Sequence, residues 1–533
     1  MERRDFCKVM GAAMGLAGAS SLSGAAFAAK AQPTDVDTHS SGGFTLEPAK
    51  EYLFTDVRHI DSGELVWNTL GGEYLPLSDP PEPAVPAIAD KHMVPHGIRF
   101  EAQPARVEEL GEAPPSNQLY DGGIYRDWRL QTASGQNGVK SLSVQYREST
   151  DGYHYTPKGE PNEIGVSGLT EVDGASFFMD PNGAPDERYK GVFSAHVLGP
   201  TSRLDAMWAR FQRTHPYFRD DRLRRDYLYG IFGLVSPDGI NWKMLAEPLL
   251  VNKGDTLNTA CYDAFLGKYV IYTRLYQLRR RGVGRAVSDD FRNWGALQPV
   301  LAAGLESPIV YDVYTNCRSV YPGLPSHHLM FPMFYNRYDE RSEIHLFSSI
   351  DGIYWNHVPG SPVLTPTSQP GKWHGEFLYV TGGLVPLGGD RIALGYSESN
   401  RPHKYPRWNG VTEYRSGYAW WPKGRLCALV ADEAGKFYTF SMPLTGRALR
   451  LNARVFGAGA IRVGVYGPDC PKDPKSPWIN WGRWTQDCDP ILGDSFEHVV
   501  TWKGSPDIPL ATGSTVGLHF QLRSAQLFGF EWV

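Results

Sequence analysis

A phrase that recurs four times limits what this 533-residue chain can fold into. It reads Ser149-Thr150-Asp151-Gly152-Tyr153-His154-Tyr155, Ser236-Pro237-Asp238-Gly239-Ile240-Asn241-Trp242, Ser288-Asp289-Asp290-Phe291-Arg292-Asn293-Trp294 and Ser349-Ile350-Asp351-Gly352-Ile353-Tyr354-Trp355. A Ser followed two residues on by Asp, then by Gly, caps and reverses a hairpin. The Asp side chain accepts backbone N–H bonds, and Gly takes a positive φ at no steric cost. The closing aromatic suits a plug between one sheet and the next. Copies fall 87, 52 and 61 residues apart, which is blade spacing for a β-propeller and too wide for a solenoid repeat.

Aromatic residues make up 13% of the chain, with 28 Tyr and 15 Trp. They suit sheet blades and equally the flat platforms on which sugar rings stack, so the count separates neither reading. Charged residues are 21% and the formal net charge is −5, a balance that gives no reason to expect nucleic acid or a membrane as partner. Arg3-Arg4-Asp5-Phe6-Cys7-Lys8 precedes an Ala- and Gly-rich run ending in Ala26-Phe27-Ala28. This resembles a twin-arginine export signal with its cleavage site, and places the mature protein in the periplasm or outside the cell. Of the six cysteines, Cys7 leaves with the signal, Cys261, Cys317 and Cys427 read as inert core thiols, and Cys470 and Cys488 flank a loop that a disulfide could close. No CxxC or HExxH spacing points to a transition metal. No cofactor is evident, although the Asp-rich channel described below would suit a structural Ca2+. Adjacent His327 and His328 read as a hairpin edge.

Residues 1–28 are therefore the signal, and 29–118 a leader followed by an extended segment in which Pro80, Pro81, Pro83 and Pro86 cluster. Residues 119–423 carry five segments of one layout: an acid, a short apolar strand, a turn, then a second strand rich in Tyr and Val. Leu204, Met207, Trp208 and Phe211 interrupt them at helical spacing, which predicts one helix on the rim. From 424 to 533 alternating strands lack the Ser-x-Asp phrase and predict a β-sandwich. The fold class is all-β, a five-bladed β-propeller followed by a C-terminal β-sandwich.

In a propeller the first strand of each blade lines the central channel, so equivalent residues converge at one mouth. That point holds Asp121, Asp173, Asp255, Asp312 and Glu376. Carboxyls brought together lose solvent and repel one another, which protonates some and leaves others ionised. Glycosidic bond cleavage requires such a split. Asp121, Asp255, Asp312 and Glu376 are the catalytic candidates, and Asp173, Asn258, Arg274, Tyr314, Asn316, Trp373 and His403 the substrate-binding ones. Asp127, Asp180 and Asp263 read as structural residues of the turns after the first strands.

The series Phe178-Met-Asp-Pro-Asn182 with Glu187-Arg-Tyr-Lys190, then Gly267-Lys-Tyr-Val270 with Arg274, then Gly284-Arg-Ala-Val-Ser288, resembles bacterial propeller proteins related to glycosidase families 32 and 43. The ending, with Gly446-Arg-Ala-Leu-Arg-Leu-Asn452 and Val500-Thr-Trp-Lys-Gly504, is similar to the sandwich those proteins carry. The resemblance spans about 120–533 and implies an acidic central pocket acting on carbohydrate. The chain lacks the Asn-Asp-Pro-Asn-Gly, Arg-Asp-Pro and Glu-Cys phrases of invertases, so sucrose or fructan specificity does not follow. Register assigns Glu376 as general acid, Asp255 or Asp121 as base or nucleophile, and Asp312 as the acid that orients it. An exported glycoside hydrolase is the leading expectation and a non-catalytic carbohydrate-binding propeller the alternative. A sialidase-like enzyme would need three convergent arginines and a Tyr nucleophile, and only Arg274 falls at a channel position. Oligomeric state, sugar and linkage leave no mark in the sequence.

Overall fold

The computed structural model describes residues 45–61, 94–110, 118–134, 140–165, 168–214, 228–277, 279–369, 373–404, 412–472 and 479–533. The chain divides into two compact units, Met1–Thr38 and His39–Val533. The first, which contains the expected signal, lies outside the described residues, and every element below belongs to the second.

The described residues are mostly β. Four short strands come first: β1 (Tyr52–Leu53), β2 (Ile60–Asp61), β3 (Arg99–Ala102) and β4 (Arg106–Leu110). Five antiparallel sheets then follow one another along the chain. The first contains β5 (Gln118–Asp121), β6 (Ile124–Ser134), β7 (Lys140–Ser149), β8 (Thr156–Pro157) and β9 (Asn162–Glu163). The second contains β10 (Leu169–Met179) and β11 (Tyr189–Val197), then, beyond helix α1 (Thr201–Thr214), β12 (Leu228–Ser236) and β13 (Lys243–Met244). The third contains β14 (Thr259–Asp263), β15 (Lys268–Gln277), β16 (Arg280–Ser288) and β17 (Gln298–Ala302). The fourth, made of β18 (Tyr311–Thr315), β19 (Arg318–Tyr321), β20 (Leu324–Met330), β21 (Met333–Asn336), β22 (Ser342–Ile344), β23 (Phe347–Ser349) and β24 (Asn356–His357), breaks into two separately hydrogen-bonded halves, β18-β21-β22 and β19-β20-β23-β24. A ribbon of β25 (Ser368–Gln369) and β26 (Trp373–His374) leads to the fifth sheet, β27 (Phe377–Leu387), β28 (Arg391–Ser399) and β29 (Tyr414–Pro422).

The series closes on itself. Each sheet packs on the next, through β10 on β6 and β7, β14 on β10, β18 on β16 and β27 on β22, and β27 of the fifth also packs on β5 of the first. Within the stretch expected to lie extended, β4 pairs with β29, Ser416 opposite Leu110 and Trp420 opposite Arg106. The fifth sheet thus takes its outer strand from the N-terminal side of the first, which ties the two ends of the series together.

The repeated phrase explains how neighbouring sheets register. In the second copy Ser236 Oγ accepts from the Gly239 amide at 2.9 Å, and Asp238 Oδ1 accepts from the Ile240 and Asn241 amides, both at 2.8 Å. This turn aims the Gly239 carbonyl at the preceding sheet, where Trp128 Nε1 donates to it at 2.7 Å. Tyr272 of the third sheet donates likewise to the Gly352 carbonyl of the fourth at 2.7 Å, and Tyr418 of the fifth to the Gly152 carbonyl of the first at 2.6 Å. All three glycines have positive φ, between 70° and 82°. The third copy has Phe291 in the Gly position, at φ 65° and fully buried, and it packs against Phe178 of the second sheet.

α1 forms where the helical spacing predicted it, and it buries Leu204 and Met207. The C-terminal part departs from expectation. β30 (Cys427–Thr439), β31 (Met442–Pro443), β32 (Leu449–Tyr466), β33 (Trp481–Arg483), β34 (Asp494–Val499) and β35 (Thr515–Trp532) do not divide into two separate sheets. With β1, β2 and β3 most of them share one hydrogen-bonded sheet, because β30, β32 and β35 are 13 to 18 residues long and run on through bulges. Bulges bend a strand without ending it, so one sheet encloses a single core containing Phe437, Val463, Phe520 and Phe530. Cys470 and Cys488 are both buried free thiols. His327 and His328 lie on β20, which pairs on both sides, and they are 4% and 0% exposed, so they are sheet interior and not a hairpin edge. Among the described residues no helix is long and apolar enough to cross a membrane.

Candidate active site

Counted along the innermost strands, Asp173 lies early in β10, Asp255 just before β14, Asp312 at the start of β18 and Glu376 just before β27. All four are at the entry end of their strands. Asp121 is at the other end: it closes β5 opposite Ile124, beside a two-residue turn in which Gly122 and Gly123 have φ 58° and 82°. Asp-Gly-Gly there is a hairpin signal, which corrects its placement among the converging acids. Asp127, expected in a turn, is inside β6 and fully buried.

A cavity of about 540 Å³ lies among the entry ends. Its described lining is residues 129–132 of β6, residues 172–175 of β10, Leu257 and Tyr379. Asp173 opens into it as an exposed residue, though partial burial strips some of the water from its carboxyl. That loss of solvent raises its pKa above the usual carboxylate range. The Gly174 amide, donating at 2.7 Å, works against the rise, the Asp255 charge adds to it, and Arg274 opposes it.

Asp255 has the opposite surroundings. Arg274, with 1% of its side chain exposed, donates to Asp255 Oδ1, and Lys253 Nζ is 3.7 Å from Oδ2. The guanidinium is itself fixed: a terminal nitrogen donates to the Tyr314 carbonyl at 3.0 Å, and its plane lies 4.4 Å from the Tyr314 ring centroid. Burial works against the Arg274 charge, but Asp255, Tyr276 and Tyr314 outweigh it and raise its pKa. Tyr314 in turn hydrogen-bonds His403 Nε2 at 3.0 Å, and His403 stacks on Phe377 with centroids 4.6 Å apart. Asp173, Asp255, Arg274, Tyr314 and His403, all sequence candidates, are therefore linked.

The remaining candidates sit differently. Asp312 is fully buried, with Arg281 on Oδ2 at 2.9 Å and Arg337 3.7 Å from Oδ1. Glu376 has Arg341 donating to both carboxyl oxygens and His374 Nε2 3.2 Å from one of them, so the residue expected as general acid has both oxygens engaged. Asn258 donates to the carbonyls of Gly174, Gly254 and Thr256 at 2.9–3.0 Å and accepts from Thr273 Oγ1 at 2.6 Å. Asn316 donates to Leu257 and Tyr272 carbonyls and accepts from Thr259 Oγ1. Both amides, buried and spent on the protein, tie loops together and do not reach for a ligand. Trp373 is in β26, with its side chain outside the described residues. Asp180 and Asp263 are structural, as expected: Asp180 accepts from Lys190 and Tyr269, and Asp263 from the Phe265 and Leu266 amides.

Sequence reasoning passed over Tyr379, whose phenol is pushed well up by burial and by the Asp173 charge. The Arg281 guanidinium stacks on Tyr314 and Tyr335. The signal for Tyr379 was its position three residues beyond Glu376 on an innermost strand. Among the described residues no three His, Cys, Asp or Glu side chains group as a metal site.

No protein-family model matches the chain, and no curated protein matches it. Solved structures to which it is similar include the Bombyx mori family 32 β-fructofuranosidase BmSUC1, at 10% identity and TM-score 0.34 over 83% of this chain and 96% of that one. A glycosyl hydrolase from Bacteroides ovatus aligns at 12% identity and TM-score 0.36, over 60% and 95%. The β-1,2-mannobiose phosphorylase from Listeria innocua aligns at 12% identity and TM-score 0.35, over 61% and 90%. The structures it resembles thus include glycoside hydrolases and a glycoside phosphorylase, at low identity. Overlays this loose carry no residue's role from one chain to another.

Proposed function

We propose that this chain is an exported glycoside hydrolase, a five-bladed β-propeller in which Asp173 is the general acid and Asp255 the base or nucleophile. One observation carries the assignment: two carboxyls on neighbouring sheets have different partners, Asp173 bonded by the Gly174 amide beside a like charge and Asp255 held by a buried guanidinium. A bond-cleaving pair needs a proton on one member and a charge on the other. Asp173 gives its proton to the leaving oxygen. Asp255 either bonds to the anomeric carbon, to be displaced by water, or takes a proton from the water that attacks it. A separation of about 5 Å selects the first course and about 6.5–9.5 Å the second. Tyr314, His403 and Phe377 form an aromatic cluster beside Arg274, a surface of the kind on which sugar rings stack. Export rests on the Arg3-Arg4 signal read in the sequence.

The mature protein screened on nitrophenyl glycosides and polysaccharides should release sugar from at least one. Asp255→Asn should lower kcat by about 10²–10⁴, the range of a positioned acid or base. Asp173→Asn should hurt most with poor leaving groups, because nitrophenolate departs without a proton. Wild-type protein that binds a glycan yet cleaves nothing on the panel would make the cavity a non-catalytic carbohydrate site.

A further inference from the structure

We infer that the sugar held in this cavity carries a carboxylate, and that Arg129 is the side chain that receives it; the location of the cavity as the substrate site rests on the reading above. Arg129 and Asp173 are the charged side chains of the described lining. Arg129 projects from β6 next to the fully buried Asp127. Asp127 already has a partner: Arg147 donates two nitrogens to its Oδ2, Nε from 2.8 Å. Arg129 Nε is 3.5 Å from the same oxygen, beyond the usual range of a charged N–H···O bond, and 41% of its side chain is exposed. One buried carboxylate therefore faces two guanidiniums, and the positive charge in excess is on the one that lines the cavity.

A guanidinium presents five N–H donors in a planar fork, and the Asp127 contact accounts for one of them. The fork matches the two oxygens of a carboxylate. A phosphate dianion fits less well, because a single excess charge balances half of it. Asp173 is the like charge in the lining, so an acidic sugar turns its carboxylate away from β10 and toward Arg129. The substrate class is thus a uronic acid glycoside, with the acidic sugar on the β6 side of the cavity.

The test compares kcat/KM on 4-nitrophenyl uronides with that on the matching neutral glycosides. Wild type should prefer the uronide at least tenfold, Arg129→Ala should cut that ratio at least tenfold, and Arg129→Lys, which keeps charge without the fork, should fall between them. A ratio of one or less, or a ratio unmoved by Arg129→Ala, overturns the inference. Calorimetric binding of free glucuronate and galacturonate, against glucose and galactose, to Asp255→Asn protein gives a readout independent of turnover. Tighter uronate binding that Arg129→Ala abolishes supports the inference even if no glycoside is cleaved, an outcome that would sink the hydrolase reading alone. Equal or absent binding of all four sugars overturns it, and cleavage of neutral glycosides only would leave the hydrolase reading standing without it.

Discussion

Asp255 can keep one orientation only while Arg274 holds it, and Arg274 is held in turn by the Tyr314 carbonyl and ring. Arg274→Gln should therefore lower kcat at least tenfold with a smaller change in KM. It should also cost about 2 kcal/mol of stability, the scale of lost hydrogen bonds to a charged group. Arg274→Lys, with charge but no fork, should recover part of kcat; equal kcat for wild type and Arg274→Gln would disprove the positioning role. At this scale much of the site was legible in the sequence. Equal position in successive segments picked out Asp173 and Asp255, 82 residues apart, and nearness to a channel end picked out Arg274. It failed for Asp121 because Asp before Gly-Gly satisfies an acid-at-strand pattern and a turn pattern equally, and it took that turn for a strand entry. It failed for Asn258 and Asn316 because an amide's usefulness to a ligand depends on which backbone carbonyls surround it, and that is set by folded loops.

The repeated phrase was legible as a turn and, through its closing aromatic, as a plug, with Trp242 against Trp128 and Trp355 against Tyr272 of the preceding sheets; the docking of its Gly carbonyl was not legible. Its Ser, Asp and Gly act within seven residues, whereas the aromatic that reaches the Gly carbonyl is 80, 111 or 266 residues away and carries no local mark. Tyr272→Phe isolates this contact, because it removes one hydroxyl from a fully buried ring and leaves the Gly352 carbonyl without that donor. The expected loss is about 1–3 kcal/mol, the cost of stranding a buried acceptor, read as a lower denaturant midpoint at unchanged m-value. An unchanged midpoint would mean that packing alone registers the third and fourth sheets. β4 was missed for a related reason. Arg106-Val-Glu-Glu-Leu110 has three charged residues in five, a composition that suits an outer edge strand and disguises it as a loop.

For the molecule as a whole, all-β character and sheet order follow from short-range pattern, while the merging of the C-terminal strands into one sheet depends on bulges that no period announces. Buried histidines add a property of the same scale. Loss of solvent lowers the pKa of His59 and His328 to about 3 and of His327 and His519 to about 4, with Arg58 and His327 adding to the effect at His59, Arg318 and Arg58 at His328, Arg58 at His327 and Lys436 at His519. In the unfolded chain each would titrate near 6.5. Between these values the unfolded state binds more protons than the folded one, so stability rises with pH there and is lost as pH falls from about 6.5 toward 4. Each such histidine is worth about 1.4 kcal/mol per pH unit across its window. Asp173 and Glu51, raised mainly by burial, act with the opposite sign and lose their contribution as pH rises through their folded values, so they offset only part of four histidines. Guanidinium titrations at pH 7, 6 and 5 should show the folding free energy falling monotonically. His519→Gln, which removes a ring stacked on Tyr438 and bonded to Thr485 Oγ1, should be less stable at pH 7 yet lose less between pH 7 and 5. A profile that is flat over this range, or as steep in the variant as in the wild type, would place the acid-sensitive groups elsewhere.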